Sequence, residues 1–252
     1  VLPGLVVLVN DGVSFNPNQI KLLRRLLSPI PVVITGNRRT RGAAGTWNTG
    51  LDEINRVLPD AFVAILDDDD TWDADHLKIN AETAIREDAD IVISGLRLIR
   101  DGLDIPRPHV NRLCDRDFLV GNPGWQGSNT FVSMSLMRRV GGFRDGLKSM
   151  NDRDLAIRLL RVEGVRVSYT GVWTSSWFIR SDNESLSAFR SEPKLSGLRW
   201  FWILYGAEMS GTEASLFFAR ALNLFDFEKE EILNLGDTVP PELLQRGDFN
   251  AD

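Results

Sequence analysis

The chain has 252 residues, 43% hydrophobic and 25% charged, ordinary proportions for a soluble globular protein and enough for one large α/β domain or two small ones. Its net charge of −6 argues against nucleic acid as the main partner, because binding a phosphate backbone relies on a basic face. The single cysteine, Cys114, excludes an internal disulfide and reads as a small core residue. The longest apolar block, residues 198–205, contains Arg199 and is far shorter than the ~20 residues that cross a bilayer. The opening VLPGLVVLVND has no basic region and no small-residue cleavage site, so no signal peptide is read and a cytoplasmic location is expected.

Residues 5–9 are an apolar run of the buried-strand type that turns at Asn10, Asp11 and Gly12, placing polar groups at a strand's carboxyl end. A helix is predicted over 19–27, with Ile20, Leu23, Leu26 and Leu27 on one face, stopping before Pro29. Residues 31–35 make the next strand, completing a parallel βαβ unit. Residues 36–50, GNRRTRGAAGTWNTG, read as a loop that runs into a helix over 51–58. Its glycines permit close backbone approach, and Arg38, Arg39 and Arg41 could meet phosphate oxygens. The spacing is not that of a Walker loop, and a solvated basic loop would have the same composition.

The most unusual stretch is FVAILDDDDTWDADH, residues 62–76. An apolar run, expected to be a strand covered on both faces, ends in acid: Asp67, Asp68, Asp69, Asp70, Asp73 and Asp75 fall within nine residues, and none of the nine is basic. At about 4 Å each like-charged pair costs on the order of 1 kcal/mol in water and about 4 kcal/mol at an effective dielectric of roughly 20. A divalent cation would compensate that repulsion. Ligands bind beyond the carboxyl ends of strands in open α/β sheets, and oxygen ligands suit magnesium or manganese completed by substrate phosphates and water. The plainer alternative is that the aspartates cap a helix starting near Asp73. One or two would do for that, so four in a row favour a metal and phosphate site.

Residues 74–87 are predicted helical, with Leu77, Ala81, Ala84 and Ile85 inward and His76 on the surface. Residues 91–94 form a short strand and 96–99 its antiparallel continuation or neighbour. The segment FLVGNPGWQGSN, 118–129, is turn-rich and leads into a strand over 130–134; Trp125 within it is either a platform for a sugar ring or filler under the loop. A helix over 136–140 ends at Gly141 and Gly142, and Phe143 packs after it. A further helix over 152–162 carries Asp152 and Asp154 in its first turn, where a plain N-cap is the alternative to a chemical role. Strands over 165–169 and 172–180 carry Trp173 and Trp177. From 198 to 224 the chain is aromatic and helical, and packing on the sheet is favoured over an apolar patch that awaits a protein partner. The tail from 236 to 252 is polar.

Five segments, in order, resemble the family 2 glycosyltransferases, enzymes that move a sugar from a nucleotide sugar to an acceptor. VLVNDG resembles the family's strand ending in DDGS. NRRTRGAAGTWNTGL resembles its N-x-G to R-N-x-G loop, and ILDDDDTWDADHL its D-x-D-D segment. GGFRDGLKSMNDRDLAIRL resembles GGF followed by E-D-x-D-L, and IRSDNESLS the closing R-x-H-x-x-S-x-S. The resemblance implies an α/β GT-A fold, with a Rossmann-like, mostly parallel central sheet flanked by helices. The catalytic domain would span 1–190 and a C-terminal helical extension 191–252.

The same resemblance implies roles. Asp69 and Asp70 would form the D-x-D type site, Asp70 the direct metal ligand, with Asp67 the strand-end carboxylate. Asp11, Arg38, Arg41 and Asn48 would line the nucleotide pocket, and Asp152 would be the general base of an inverting transfer. Asp182 stands where many relatives carry a histidine that reaches the metal. Trp125, Gln126 and Asp154 would lie on the acceptor or donor-sugar side. Implied cofactors are Mn²⁺ or Mg²⁺ and a nucleotide sugar, a UDP-sugar favoured; the acceptor would be a glycan, lipid, peptide or small molecule.

The chain departs from the pattern in places. The family's opening strand has no counterpart, an expectation of roughly 35 to 45 further residues from the usual ~30-residue size of a βα unit and its loops. Asn10 replaces the first Asp of DDGS, Trp47 the arginine before Asn48, and Asn151 and Arg153 stand where Glu and Trp are common. Two other readings exist. A non-catalytic module could bind a sugar nucleotide or a protein partner. A haloacid-dehalogenase-like phosphohydrolase would use Asp67 as nucleophile and Asp69 as acid, but expects its motif on the first strand.

Overall fold

The computed structural model describes residues 1–105, 107–179 and 189–234. Val6–Asn10 (β1) and Val32–Gly36 (β2) pair in parallel, Val6 opposite Val32, and Pro17–Leu27 (α1) connects them as the βαβ pattern requires. A capping box starts α1: Asn16 Oδ1 accepts from the Gln19 N–H, and Gln19 Oε1 accepts from the Asn16 N–H. α1 rests on β2 and buries no residue completely. Its inner stripe is too narrow to include Leu26, which is 67% exposed rather than inward.

Helix Ala43–Val57 (α2) begins well before the expected Leu51. Gly42 turns the chain with φ 124, and Gly45 sits where a Cβ would lie 2.0 Å from the Thr40 carbonyl oxygen. Only glycine lets the arginine loop fold back so closely on the helix start. The loop is therefore confined to 37–42, and Trp47 and Asn48 belong to the helix.

The main sheet consists of Phe62–Ala64 (β3), Thr71–Trp72 (β4), Ile91–Arg100 (β5), Leu103–Ile105 (β6), Thr130–Ser133 (β7) and Val167–Ile179 (β8), in the order β3-β7-β5-β8-β4 with β6 on β5. Among the described residues β5 and β8 pair in parallel, while β3–β7, β5–β7, β4–β8 and β5–β6 are antiparallel. The α/β architecture is the one expected, but its sheet is mixed rather than mostly parallel. The tight turn at Gly102, φ 75, reverses β5 into β6, and β7 enters against both its neighbours. β3 lies at one end of this order and alternates: Val63 and Ile65 are buried, whereas Phe62 is 36% and Leu66 45% exposed. Both faces are covered, unequally: Val63 and Ile65 lie in the main core, while Ala64 and Phe62 pack on the smaller cluster around Phe131.

The expected breaks within 91–99 and 165–180 are absorbed as irregularities inside continuous strands. The β5–β8 register shifts at Gly95, where a Cβ would come within 2.9 Å of the Val172 carbonyl oxygen and 2.8 Å of Trp173 Cδ1.

The remaining helices are His76–Glu87 (α3), Asp117–Val120 (α4), Met134–Val140 (α5), Asn151–Leu160 (α6), Glu192–Tyr205 (α7), Gly211–Phe225 (α8) and Lys229–Leu233 (α9). The buried stripe of α3 is His76, Asn80, Thr83 and Ala84, with Ile85 turned outward, 82% exposed. His76 is thus a core residue, not a surface one. Its ring stacks on Trp72 with centroids 4.3 Å apart, and Nδ1 lies 2.8 Å from Thr174 Oγ1. Burial pulls its pKa down to about 4.

One hydrophobic core joins Leu51, Val63, Ile91 and Val132 to Leu198, Phe201, Phe217 and Phe227, so it runs past residue 190 without a break. The aromatic residues of α7 and α8 are spent on packing, as in the stacked pair Phe201 and Phe217. Cys114 is exposed and is not a core residue. Among the described residues no helix is long and apolar enough to cross a membrane.

Candidate active site

The acid stretch is held in place by the 3-10 turn Gly127–Asn129. Past β3, the Ile65 N–H donates to the Thr130 carbonyl and the Asp67 N–H to Ser128 Oγ at 3.1 Å. The Ser128 carbonyl oxygen accepts from Trp72 Nε1 and from Ser175 Oγ. A turn bond from the Asp70 N–H to the Asp67 carbonyl closes the loop. The backbone around Ser128 is thereby a hub that fixes both ends of the aspartate run. Capping does not explain the run: Asp75 precedes α3 without a side-chain cap bond, and Asp73 pairs with Arg97 at 2.7 Å.

Asp70 is buried and accepts from the Phe178 N–H at 3.2 Å and from the Ser128 side chain. Burial raises its pKa, opposed by those hydrogen bonds. Asp67 is half-buried; burial, followed by repulsion from Asp152, Asp70, Asp69 and Asp68, pushes its carboxyl well above the ordinary range. Its Oδ2 lies 3.0 Å from where a Cβ on Gly127 would be, so any side chain at that position would press on the Asp67 carboxylate. Asp68 and Asp69 are exposed beside it.

Asp152 comes from the opposite side, in the first turn of α6, and accepts a hydrogen bond from the Gly127 N–H. The N-cap of α6 is Met150, in the left-handed region at φ 70, so Asp152 is not capping. Burial raises its pKa to about 7; Lys194 opposes the rise and Asp70 adds to it. Asp67, Asp70 and Asp152 thus surround one short turn, a carboxylate poised near neutrality facing a crowded acidic pair.

The nucleotide-side candidates divide. Asp11 organises the arginine loop, its two oxygens accepting from Asn37 Nδ2 and from the Gly42 N–H, each at 2.8 Å. Arg41 lies against Gly12, where a Cβ would be 3.0 Å from Nη2. Arg38 is drawn to Glu53 at 2.7 Å, and Arg39 to Asp52 at 2.9 Å. Asn48 is fully buried: Nδ2 donates to the Phe143 carbonyl and Oδ1 accepts from the Phe143 N–H. It pins the Gly-Gly-Phe segment to α2 and lines no open pocket.

The acceptor-side candidates divide as well. Trp125 is 2% exposed, its Nε1 donating to Thr130 Oγ1, so it fills the core and offers no free ring face. Gln126 is half-buried and directly precedes the Gly127 turn. Asp154 is sealed between Arg158 at 2.7 Å, Arg144 at 3.1 Å and the Tyr205 hydroxyl at 2.7 Å. Burial opposes its charge, but the two guanidinium groups outweigh that and hold its pKa low; it braces α6 and is closed to an acceptor. Asp182 lies outside the described residues. Sequence reasoning missed Gly127, Ser128 and Lys194; the turn-rich segment ahead of β7 was the signal for the first two, whereas nothing local marked Lys194.

The sequence model described as Glycosyl transferase family 2 matches residues 6–147, more than half of the chain. The chain belongs to glycosyl transferase family 2. The matched segment holds the arginine loop, the aspartate run and the Gly127 turn, and ends before Asp152. An uncharacterized protein of Sinorhizobium fredii, y4gI, is 27% identical over 169 residues; the match covers 66% of this chain but 18% of that relative. Among solved structures, S. aureus TarS 1-349 in complex with UDP-GlcNAc aligns at TM-score 0.59 and 17% identity, over 93% of this chain and 67% of that one. The same protein in complex with UDP aligns at TM-score 0.56 and 15% identity, over 86% and 62%. At such identities the likeness concerns the fold, which for this family 2 chain is GT-A.

Proposed function

We propose that this family 2 chain transfers a sugar from a nucleoside diphosphate sugar to an acceptor hydroxyl with inversion, Asp152 acting as general base. The observation that carries the reading is Asp152 itself: a carboxylate with a pKa of about 7, hung on the Gly127 N–H and facing Asp67 and Asp70. A base near neutrality can take a proton from a hydroxyl and still be unprotonated at working pH. As the acceptor oxygen bonds to the anomeric carbon from the face opposite the diphosphate, its proton passes to Asp152. The carbon–oxygen bond to the diphosphate breaks, and the nucleoside diphosphate leaves. Asp11 and Arg41, at the loop in front of α2, are the groups suited to the nucleotide side.

The donor set for a cation is entirely carboxylate, and the raised pKa values of Asp67 and Asp70 are the chemistry a hard divalent ion relieves. Among the described residues no three His, Cys, Asp or Glu side chains converge for a metal. Manganese or magnesium would accordingly be held by Asp70 and Asp69, and completed by the diphosphate and water. Bound there, it would neutralise charge that grows on the leaving group. Because the TarS structures hold UDP-GlcNAc and UDP, a UDP-sugar is the first donor to test.

The test is a thermal-shift screen of UDP, GDP, TDP and CDP with and without manganese. A ligand at 100 times its dissociation constant adds about 2.7 kcal/mol to stability. One nucleotide should raise the melting temperature in a manganese-dependent way, and Asp70→Ala should abolish that rise. If no nucleotide does so, or the rise survives Asp70→Ala, the donor and metal assignments are wrong.

A further inference from the structure

On the side of α6 away from Asp152 lies a cavity of about 350 Å³, within the size range of small-molecule sites. Two residues along a helix turn the side chain by about 200°. While Asp152 meets the Gly127 N–H, Asp154 therefore faces the other way, to Arg144, Arg158 and the Tyr205 hydroxyl. The cavity lies over that cluster, between the end of α5, the last turn of α6 and Tyr205 at the end of α7.

Its lining contains four arginines, Arg139, Arg144, Arg158 and Arg161, and no carboxylate. Three of the four are held by groups outside the lining. Arg144 and Arg158 reach the fully buried carboxylate of Asp154, and Arg158 also donates to the Val140 and Gly142 carbonyls at 2.8 and 2.7 Å. Arg161 pairs with Asp115 and Glu208, and its guanidinium lies 5.9 Å from the centre of the Tyr205 ring. The exposed Arg139 guanidinium makes no hydrogen bond or ion pair among the described residues; the carboxylate that its charge acts on, Asp90, is paired with Arg166. Val140 and Val162, both partly exposed, supply apolar surface between the arginines. Guanidinium groups already fixed in place cost an incoming anion little ordering, and each offers it charge-assisted hydrogen bonds.

We propose that this cavity binds a small organic anion: an apolar ring or short chain that carries one carboxylate or phosphate. The head group lies among Arg139, Arg144 and Arg158, and the apolar body rests on Val140 and Val162. Four cations with no anion among them decide the charge of the ligand, and the apolar surface between them decides its body. Inorganic phosphate meets the first requirement and not the second. The site shares no residue with the aspartate run, the Gly127 turn or the arginine loop, so the inference is independent of the proposed sugar transfer.

The experiment titrates the full chain with benzoate, phenyl phosphate and inorganic phosphate, with affinity read by calorimetry and location by the NMR signals of the Val140 and Val162 methyl groups. At least one of the two organic anions should shift those methyls saturably, with a Kd of about 1 mM or tighter; the tighter of the two identifies the head group. Inorganic phosphate should bind at least about tenfold more weakly. Arg139→Glu changes an exposed side chain that braces nothing among the described residues, and should weaken binding about tenfold or more. Arg139→Lys keeps the charge and should stay within about threefold of the wild type. Three results overturn the inference: methyl signals unmoved by either organic anion up to about 10 mM, inorganic phosphate bound as well as they are, which marks an adventitious ion only, or an affinity unchanged in Arg139→Glu. None of these outcomes bears on nucleotide-sugar transfer.

Discussion

Replacing Asp152 with asparagine should stabilise the protein while removing its activity. In the folded chain the carboxyl titrates at about 7 against an ordinary 3.8, so the folded state holds a proton that the unfolded state has lost. Stability therefore falls as pH rises through that interval, and the cost is complete above pH 7. At 1.36 kcal/mol per pH unit the charged carboxylate costs about 4 kcal/mol; solvent on the open side of this half-buried group brings the working figure to about 3 kcal/mol. Asparagine keeps an oxygen for the Gly127 N–H and carries no charge. The variant should be more stable by about 3 kcal/mol at pH 8, equivalent to about 6–12 °C in melting temperature for a domain of this size. The gap should shrink to about 1 kcal/mol or less by pH 4.5. Urea titrations of both proteins at the two pH values measure it. In parallel, turnover of a nucleotide sugar should drop about 10²- to 10⁴-fold. A gap that is the same at both pH values, or a variant less stable than wild type at pH 8, would refute the argument that Asp152 sits in a desolvated, anion-crowded position.

His76, with its pKa drawn down to about 4 by burial, is neutral in the folded protein and charges on unfolding below pH 6.5. It should cost the wild type about 3 kcal/mol as pH falls from 6.5 to 4, and the difference between wild type and His76→Gln across that range should carry this slope. Asn48→Ala leaves the Phe143 N–H and carbonyl buried without partners and should lower stability by about 2–4 kcal/mol. Its nucleotide-induced thermal shift should be unchanged, which separates a bracing role from a binding one. Asp154→Asn removes the negative charge set between two largely buried guanidinium groups and should cost about 3–5 kcal/mol in chemical denaturation, again without loss of nucleotide binding.

Much of the fold and part of the site could be read before any tertiary contact was known. Apolar runs ending in polar residues placed β1, β2 and β3, because side-chain burial imposes a local period. The order of the five motifs placed the family, since each needs a particular backbone turn and side-chain type at short range. Four adjacent aspartates announced a charged site, because like charges in sequence are like charges in space. Helix starts and strand breaks were less legible. Gly45 and Gly95 matter for the carbonyl groups that approach them, from Thr40 and Val172, and the second of those lies 77 residues away in the chain.

Which members of the motifs touch solvent was decided only when the chain closed on itself. Asn48, Trp125 and Asp154 share motifs with open-site candidates, but each turns inward to a partner set by packing: the Phe143 backbone, Thr130, and the Arg144, Arg158 and Tyr205 cluster. A pattern of residue types constrains chemistry and not direction, and on a helix one step of sequence is a turn of about 100°. The pKa of Asp152 belongs wholly to the tertiary structure. Burial of its carboxyl, the acids at the tip of β3, the Gly127 N–H and Lys194 on α7 meet only in the folded protein, because desolvation and Coulomb energy depend on distances through space that local sequence does not carry.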